Sequence, residues 1–317
     1  MVTPNKRYSL LIALLVPLTA LAQFAYVPNE KSGTLSIIDL AKDEVVGSIP
    51  AGKRPRGIAA AADRKSIYVS DQVANAVLIV DAAARGVARS IELGESPEGV
   101  GRSNDGKWIV AAVEEDNAVF FIDAASGKVE FKVRTEGENP EHAVFSPDGK
   151  WVFVSAEESQ VVDVIDVGAR KLAGAIRVGK RPRGIGFTPD GARAYVACEI
   201  ANTVYAIDVA AMKVIAAIPA GIRSNGIKIH PNGREVYVSN GADGTVNVID
   251  TASNRITHTI KVGQRPWNMA LTPDGNKLYV ANGRSNSVSV IDTTKKAVTK
   301  EVPVGEMPWG VLIPEEP

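Results

Sequence analysis

The sequence predicts an all-β chain folded as a seven-bladed β-propeller of four-stranded antiparallel blades. Three observations carry that prediction. First, a short motif ending in Asp recurs at Asp39, Asp81, Asp123, Asp166, Asp208, Asp250 and Asp292, at separations of 42, 42, 43, 42, 42 and 42 residues. A period of roughly 40–45 residues belongs either to propeller blades or to helical repeats. Second, the residues before each Asp alternate with period two and are rich in Val and Ile, as in TVNVID (Thr245–Asp250) and SVSVID (Ser287–Asp292); that is strand patterning. Third, turn signals punctuate each copy. SPDG at 146–149 and TPDG at 188–191 and 272–275 place Pro where φ is near −65° and Gly where φ is positive.

Each copy then resolves into four short strands. A PxGI strand leads into a TPDG-type turn, a YVAN-type strand, a polar loop, the VxVID strand and an outer VxxxI strand. Four-stranded units repeated around an axis make a propeller. The ends predict how the ring closes. The first copy, from Tyr26, lacks a PxGI strand, whereas residues 308–313 (PWGVLI) are a PxGI strand with nothing after it. Pairing this C-terminal strand with the N-terminal blade completes the seventh blade and leaves no open sheet edge.

The N-terminus reads as a leader. Lys6 and Arg7 precede the apolar run 10–16, and Ala20-Leu21-Ala22 gives a small-x-small cleavage pattern before Gln23. The run is shorter than the roughly 20 apolar residues of a membrane span and is broken by Pro17. The expectation is a signal peptide at 1–22, a single propeller domain at 23–317, a periplasmic location and no membrane attachment after cleavage. Cys198 is the only cysteine, so no internal disulfide forms. Thirty-six basic residues balance thirty-six acidic ones, which removes any overall field for nucleic acid.

The repeat resembles the YVTN-family β-propeller repeat, carried here by YVAN (279–282), YVSN (237–240) and the VxVID strands. YVPNEKSGTLSIID (26–39), GKRPRGI (52–58), NGRSNSVSVID (282–292) and PWGV (308–311) are similar to the β-propeller proteins associated with PQQ-dependent catabolism. That resemblance implies an exported seven-bladed propeller working beside quinoprotein alcohol oxidation, with a periplasmic quinoprotein dehydrogenase, cytochrome or binding protein as partner. PQQ enters as a possible cofactor through this context alone. The wider architecture is similar to the haem d1 propeller of nitrite reductase and to propeller lactonases.

Within a repeat, shared letters serve the blade and departures serve a ligand. By this logic the seven closing Asp residues are structural, each suited to bond backbone two residues on, and the Tyr of YVAN packs between blades. The departures cluster on one face, where the loop entering PxGI meets the loop after YVAN. Before the Pro position the copies read Arg54, Ser96, Asn139, Arg181, Arg223, Arg265 and Met307. After it they read Arg56, Glu98, Glu141, Arg183, Asn225, Trp267 and Trp309. Two blades are acidic here, reinforced by Glu114, Glu115, Asp116, Glu157 and Glu158; the others are mostly basic. Arg offers bidentate bonds to carboxylate or phosphate and indole stacks on flat ligands. The candidate binding set for a small anionic ligand or an acidic partner is therefore Arg54, Arg56, Arg181, Arg183, Arg223, Arg265, Trp267 and Trp309. Against it stands a plainer reading, in which the tryptophans plug the axis and the arginines pair with neighbouring acids.

His142 joins the candidates because five of the seven copies have Gly at its position, so its side chain is expected to project toward the channel. His230 and His258 fall in a turn and an outer strand, so a His-built metal or haem site is not expected. No catalytic motif appears: there is no GxSxG, no HExxH, no paired Cys and no phosphate-cradling loop. Cys198 has Glu199 beside it, which works against a reactive thiolate. The leading expectation is a non-catalytic propeller that binds a small anionic ligand or a protein partner. The alternatives are a lactonase-type hydrolase acting in the central channel and a single-stranded nucleic-acid binder using Arg and Trp, the latter weakened by the neutral charge.

Overall fold

One strand order, repeated, builds the molecule. In blade 1, Pro55–Ala60, Ser66–Asp71, Ala76–Asp81 and Gly86–Glu92 pair antiparallel in chain order from axis to rim. Blades 2 to 6 repeat this from Pro97, Pro140, Pro182, Ser224 and Pro266, and blade 7 holds Phe24–Asn29, Thr34–Asp39 and Glu44–Pro50. The computed structural model describes residues 24–63 and 65–314; the expected leader at 1–22 lies outside them. No helix among the described residues is long and apolar enough to cross a membrane.

Residues 308–313 complete blade 7 by bridges rather than by a continuous strand. Tyr26 and Leu312 exchange backbone bonds of 2.8 and 2.9 Å, and the Trp309 amide donates to the Pro28 carbonyl at 2.9 Å. Side chains hold the segment as firmly as its backbone does, with Trp309, Val311 and Ile313 all buried.

The repeated letters have repeated jobs. The closing Asp carboxylates accept backbone N–H bonds two residues on, from Ala41 to Asp39 at 2.9 Å and from Thr294 to Asp292 at 3.0 Å. In every blade the pairing of the third and fourth strands slips just before that Asp, a bulge that sharpens the twist. Tyr195, Tyr237 and Tyr279 are fully buried, and the Tyr195 hydroxyl donates across to Asn254 of the next blade at 3.0 Å.

Inner-strand glycines set the radius of the ring. A Cβ on Gly99 would lie 2.7 Å from the Glu141 carbonyl; on Gly184 it would lie 2.5 Å from that of Asn225, and on Gly226 2.5 Å from that of Trp267. The inner strands of blades 1, 2, 4 and 5 thus lay their backbones against the next strand, a contact only glycine permits.

Deleting residues 308–317 removes three buried apolar side chains worth about 1.5–3 kcal/mol each and exposes the Phe24–Asn29 edge. The expected result is a loss of about 5 kcal/mol or more, read from denaturant unfolding. Gly184→Val should cost at least about 2 kcal/mol by the same measurement, because the neighbouring carbonyl cannot retreat.

Candidate functional site

At one end of the axis the two expected loops do meet, and a backbone bond joins them in each blade. The amides of Glu30, Gln72, Glu114, Glu157, Glu199, Gly241 and Gly283 donate to the carbonyls of Met307, Arg54, Ser96, Asn139, Arg181, Arg223 and Arg265, at 2.8–3.3 Å. The residue before the Pro position pays in conformation: Ser96, Asn139, Arg181, Arg223, Arg265 and Met307 all have φ between 54° and 63°. A non-glycine residue in the left-handed region costs roughly 1 kcal/mol, and blade geometry imposes it here on Arg, Asn, Ser and Met alike.

These loops bring six arginines against five buried glutamates. Glu30 takes Arg54 at 2.6 Å and Arg56 at 3.1 Å, and Arg56 continues to Glu98. Arg183 holds Glu141 at 2.5 Å, Glu199 at 3.2 Å and also Glu157, which pairs with Arg181 at 3.0 Å. Glu199 further gathers Arg181 at 3.3 Å, Arg223 at 3.5 Å and Arg265 at 2.9 Å. Every blade contributes a member to this layer. The carboxylates lie beneath: the Glu98 and Glu199 side chains are 0% and 1% exposed, whereas Arg54 and Arg223 are 43% and 45% exposed. The surface therefore presents guanidinium edges over a buried floor of carboxylates.

The layer tunes its own protons. Burial opposes charge on Glu199, yet Arg183, Arg265 and Arg181 outweigh it and hold the carboxyl below its usual range. Burial and the neighbouring Glu141 push Glu98 up to about 8, against the pull of Arg56. Glu157 is driven up to about 7 by burial and by Glu141. Glu98, Glu114 and Glu141 each bring a carboxylate oxygen within 4.8 Å of the others. Arg56 and Arg183 already serve two of the three.

Below this layer lies an aromatic plug. His142 of blade 3 and Trp309 of blade 7 stack across the axis with centroids 5.4 Å apart and planes 15° apart. Burial lowers the His142 pKa, with Glu141 opposing. Both ring nitrogens are buried without a hydrogen-bond partner in good geometry, and Asn268 is the polar neighbour. Trp267 stands apart, half-buried, with the Arg265 guanidinium 5.7 Å over its ring.

Residues grouped by sequence are thus regrouped by structure. The six candidate arginines form two neighbouring ion-pair clusters, Arg54 and Arg56 on Glu30 and Glu98, and the other four on Glu141, Glu157 and Glu199, coupled through the field of Glu141 on Arg56; Arg265 faces Glu199 rather than Arg54 and Arg56. Trp309 pairs with His142, not with Trp267. Cys198 is buried, and burial pushes its thiol up to about 12. Glu30 and Glu199 were not among the sequence candidates. Aligning the residue after each YVAN would have exposed them, since that column reads Glu30, Gln72, Glu114, Glu157, Glu199, Gly241 and Gly283. A quinone polycarboxylate such as PQQ does not fit here: Arg56 and Arg183 are already clasped between buried carboxylates, and His142 covers a face of Trp309.

Comparison with known proteins places this geometry. A family model for the seven-bladed β-propeller lactonases matches residues 87–178 and 169–300, more than half of the chain. The chain belongs to that family. A YNCE-like β-propeller model also matches, over residues 20–106. No curated protein matches the sequence of this lactonase-family propeller. Among solved structures, hydrazine synthase of Kuenenia stuttgartiensis is similar with a TM-score of 0.78 and 23% identity, covering 86% of this chain and 92% of that one. A functionally unknown protein from Desulfotomaculum acetoxidans gives 0.80 at 17% identity, with 92% and 98% coverage. The dihydro-heme d1 dehydrogenase NirN in complex with DHE gives 0.69 at 14% identity, with 92% and 75% coverage. At these identities the likeness is one of fold.

Two predictions test the layer. Glu199→Gln leaves four guanidiniums without their shared counter-charge and should destabilise by about 3–5 kcal/mol in denaturant unfolding at neutral pH. Glu98 behaves oppositely to a salt-bridged acid. Its folded pKa lies above the unfolded value, so its contribution is complete below that value and is lost as pH rises toward about 8. Melting temperatures from about pH 5 to pH 9 should therefore decline in the wild type and decline less steeply in Glu98→Gln.

Proposed function

We propose that this protein is an exported, non-catalytic propeller whose arginine face docks an acidic protein partner. One observation carries the reading: the carboxylates of the mouth are buried while Arg54, Arg181 and Arg223 keep their guanidiniums at the surface. Two further features favour a protein over a small anion. Ile200 and Ile222, 50% and 55% exposed, flank Arg223 on neighbouring blades, giving the apolar-plus-Arg composition of an interface core. Exposed Glu95, Glu115, Glu138 and Glu158 line blades 2 and 3, opposite in sign to exposed Lys53, Lys180, Arg223 and Arg284. Such polarity fixes register and raises the encounter rate with a complementary surface.

The leader at 1–22 supports a periplasmic location. Resemblance to propellers associated with PQQ-dependent catabolism supports a quinoprotein dehydrogenase, a cytochrome or a binding protein as the partner class. Small anions compete for the same guanidiniums, with Trp267 as their stacking face. A second reading, hydrolysis of a lactone in the channel, is compatible with the family match.

Capture from periplasmic extract of cells grown on an alcohol decides between them. An acidic dehydrogenase or cytochrome should be retained at low salt and released as salt rises. Arg54→Gln combined with Arg223→Gln should reduce capture at least about tenfold in protein whose unfolding transition shows it folded, because both residues lie at the rim, Arg56 still serves Glu30, and Arg181, Arg183 and Arg265 still serve Glu199. Lactone hydrolysis by the purified wild type, with no partner captured, would replace this reading with the second.

A further inference from the structure

The axial channel opens at the face opposite the arginines. Asn104, Pro147, Pro189, Pro231 and Pro273, all turn residues, frame its mouth, and His142, Trp309 and Asn268 form its floor. The open-mouthed cavity has a volume of about 670 Å³, within the range of small-molecule sites. Val144, Ile185, Phe187, Ile229, Met269 and Leu271 supply apolar wall. Each innermost strand has a sheet partner on one side only, so its other edge turns backbone N–H and C=O groups toward the lumen.

We propose that this channel binds a small neutral molecule with one aromatic ring and a hydroxyl or carbonyl group, resting against the His142–Trp309 pair. Three observations select that chemistry. The floor is two stacked rings, a platform that favours another flat ring over an aliphatic chain. No hydrogen bond of good geometry reaches the His142 ring nitrogens, whose polar neighbour is the Asn268 side chain, and an under-satisfied buried polar group costs roughly 1–3 kcal/mol. A ligand hydroxyl or carbonyl repays this once the imidazole edge turns toward the lumen. Lys228, the only acidic or basic residue besides His142 among the described residues of the wall, already has a partner. A cationic ligand would therefore shed its water with no counter-ion in return, and an anionic one would have to compete with that partner for a single ammonium. This site is separate from the docking face and stands or falls independently of it.

Benzyl alcohol is the probe, titrated into the full chain and followed by calorimetry and by tryptophan fluorescence. Saturable binding with a Kd at or below about 1 mM is expected for a ligand of this size, with benzoate at least about tenfold weaker. Val144→Trp, which fills the lumen, should abolish the heat. His142→Phe keeps a stacked floor but removes the nitrogens, and should bind toluene and benzyl alcohol equally, whereas the wild type prefers the alcohol. A variant at the exposed rim of the opposite face, Arg284→Gln, should bind as the wild type does. An absence of saturable heat with the wild type, equal affinity for benzoate, or unchanged binding in folded Val144→Trp would overturn the proposal.

Discussion

Close approach of seven inner strands around one axis is the constraint on which the rest of this structure depends. Glycine at the third position of most of these strands lets one backbone lie on the next. That contact sets the radius of the ring. A narrow ring forces whatever the loops carry at the mouth into mutual contact, so residues from every blade share one electrostatic system. Where glycine gives way to His142 and Asn268, the extra atoms have only the lumen to enter. The plug across the axis follows from the same geometry that draws the charges together.

Charge at the mouth is arranged by depth as well as by blade. Within the layer the carboxylates sit inward and Arg54, Arg181 and Arg223 reach outward, so overall neutrality coexists with a cationic arc beside the acidic arc of blades 2 and 3. Long, planar guanidinium groups can reach across blades, as Arg265 does to Glu199, and still leave an edge in water. Glutamates in the same positions would be dehydrated without enough donors. The resulting layer is cooperative in the thermodynamic sense: Glu98 and Glu157 are raised and Glu199 is held down because each reads the charge of several neighbours.

The fold was legible because period, alternation and turn residues all repeat, and seven copies average out local ambiguity. Strand boundaries followed directly, since TVNVID and SVSVID are the observed strands Thr245–Asp250 and Ser287–Asp292. The site was legible only in part. Aligning residues around the Pro position located all six arginines, His142 and both tryptophans, yet gave no pairing among them. Pairing depends on depth and reach, and Glu199 meets Arg265 across an intervening blade, 66 residues along the chain. The left-handed φ shared by Arg181, Arg223 and Met307 was equally invisible, because it belongs to loop geometry and appears as no single residue type.

Completion of blade 7 by residues 308–313 also has a temporal meaning. The partners Tyr26 and Leu312 come from opposite ends of the described residues, so their contact cannot form until residues 308–313 have been made. Until the final residues emerge, the Phe24–Asn29 strand keeps an unpaired inner edge, and six blades stand as an open arc. Such an edge invites mispairing with another chain. A chain that closes in this way becomes a finished ring only when residues 308–313 have reached the Phe24–Asn29 strand.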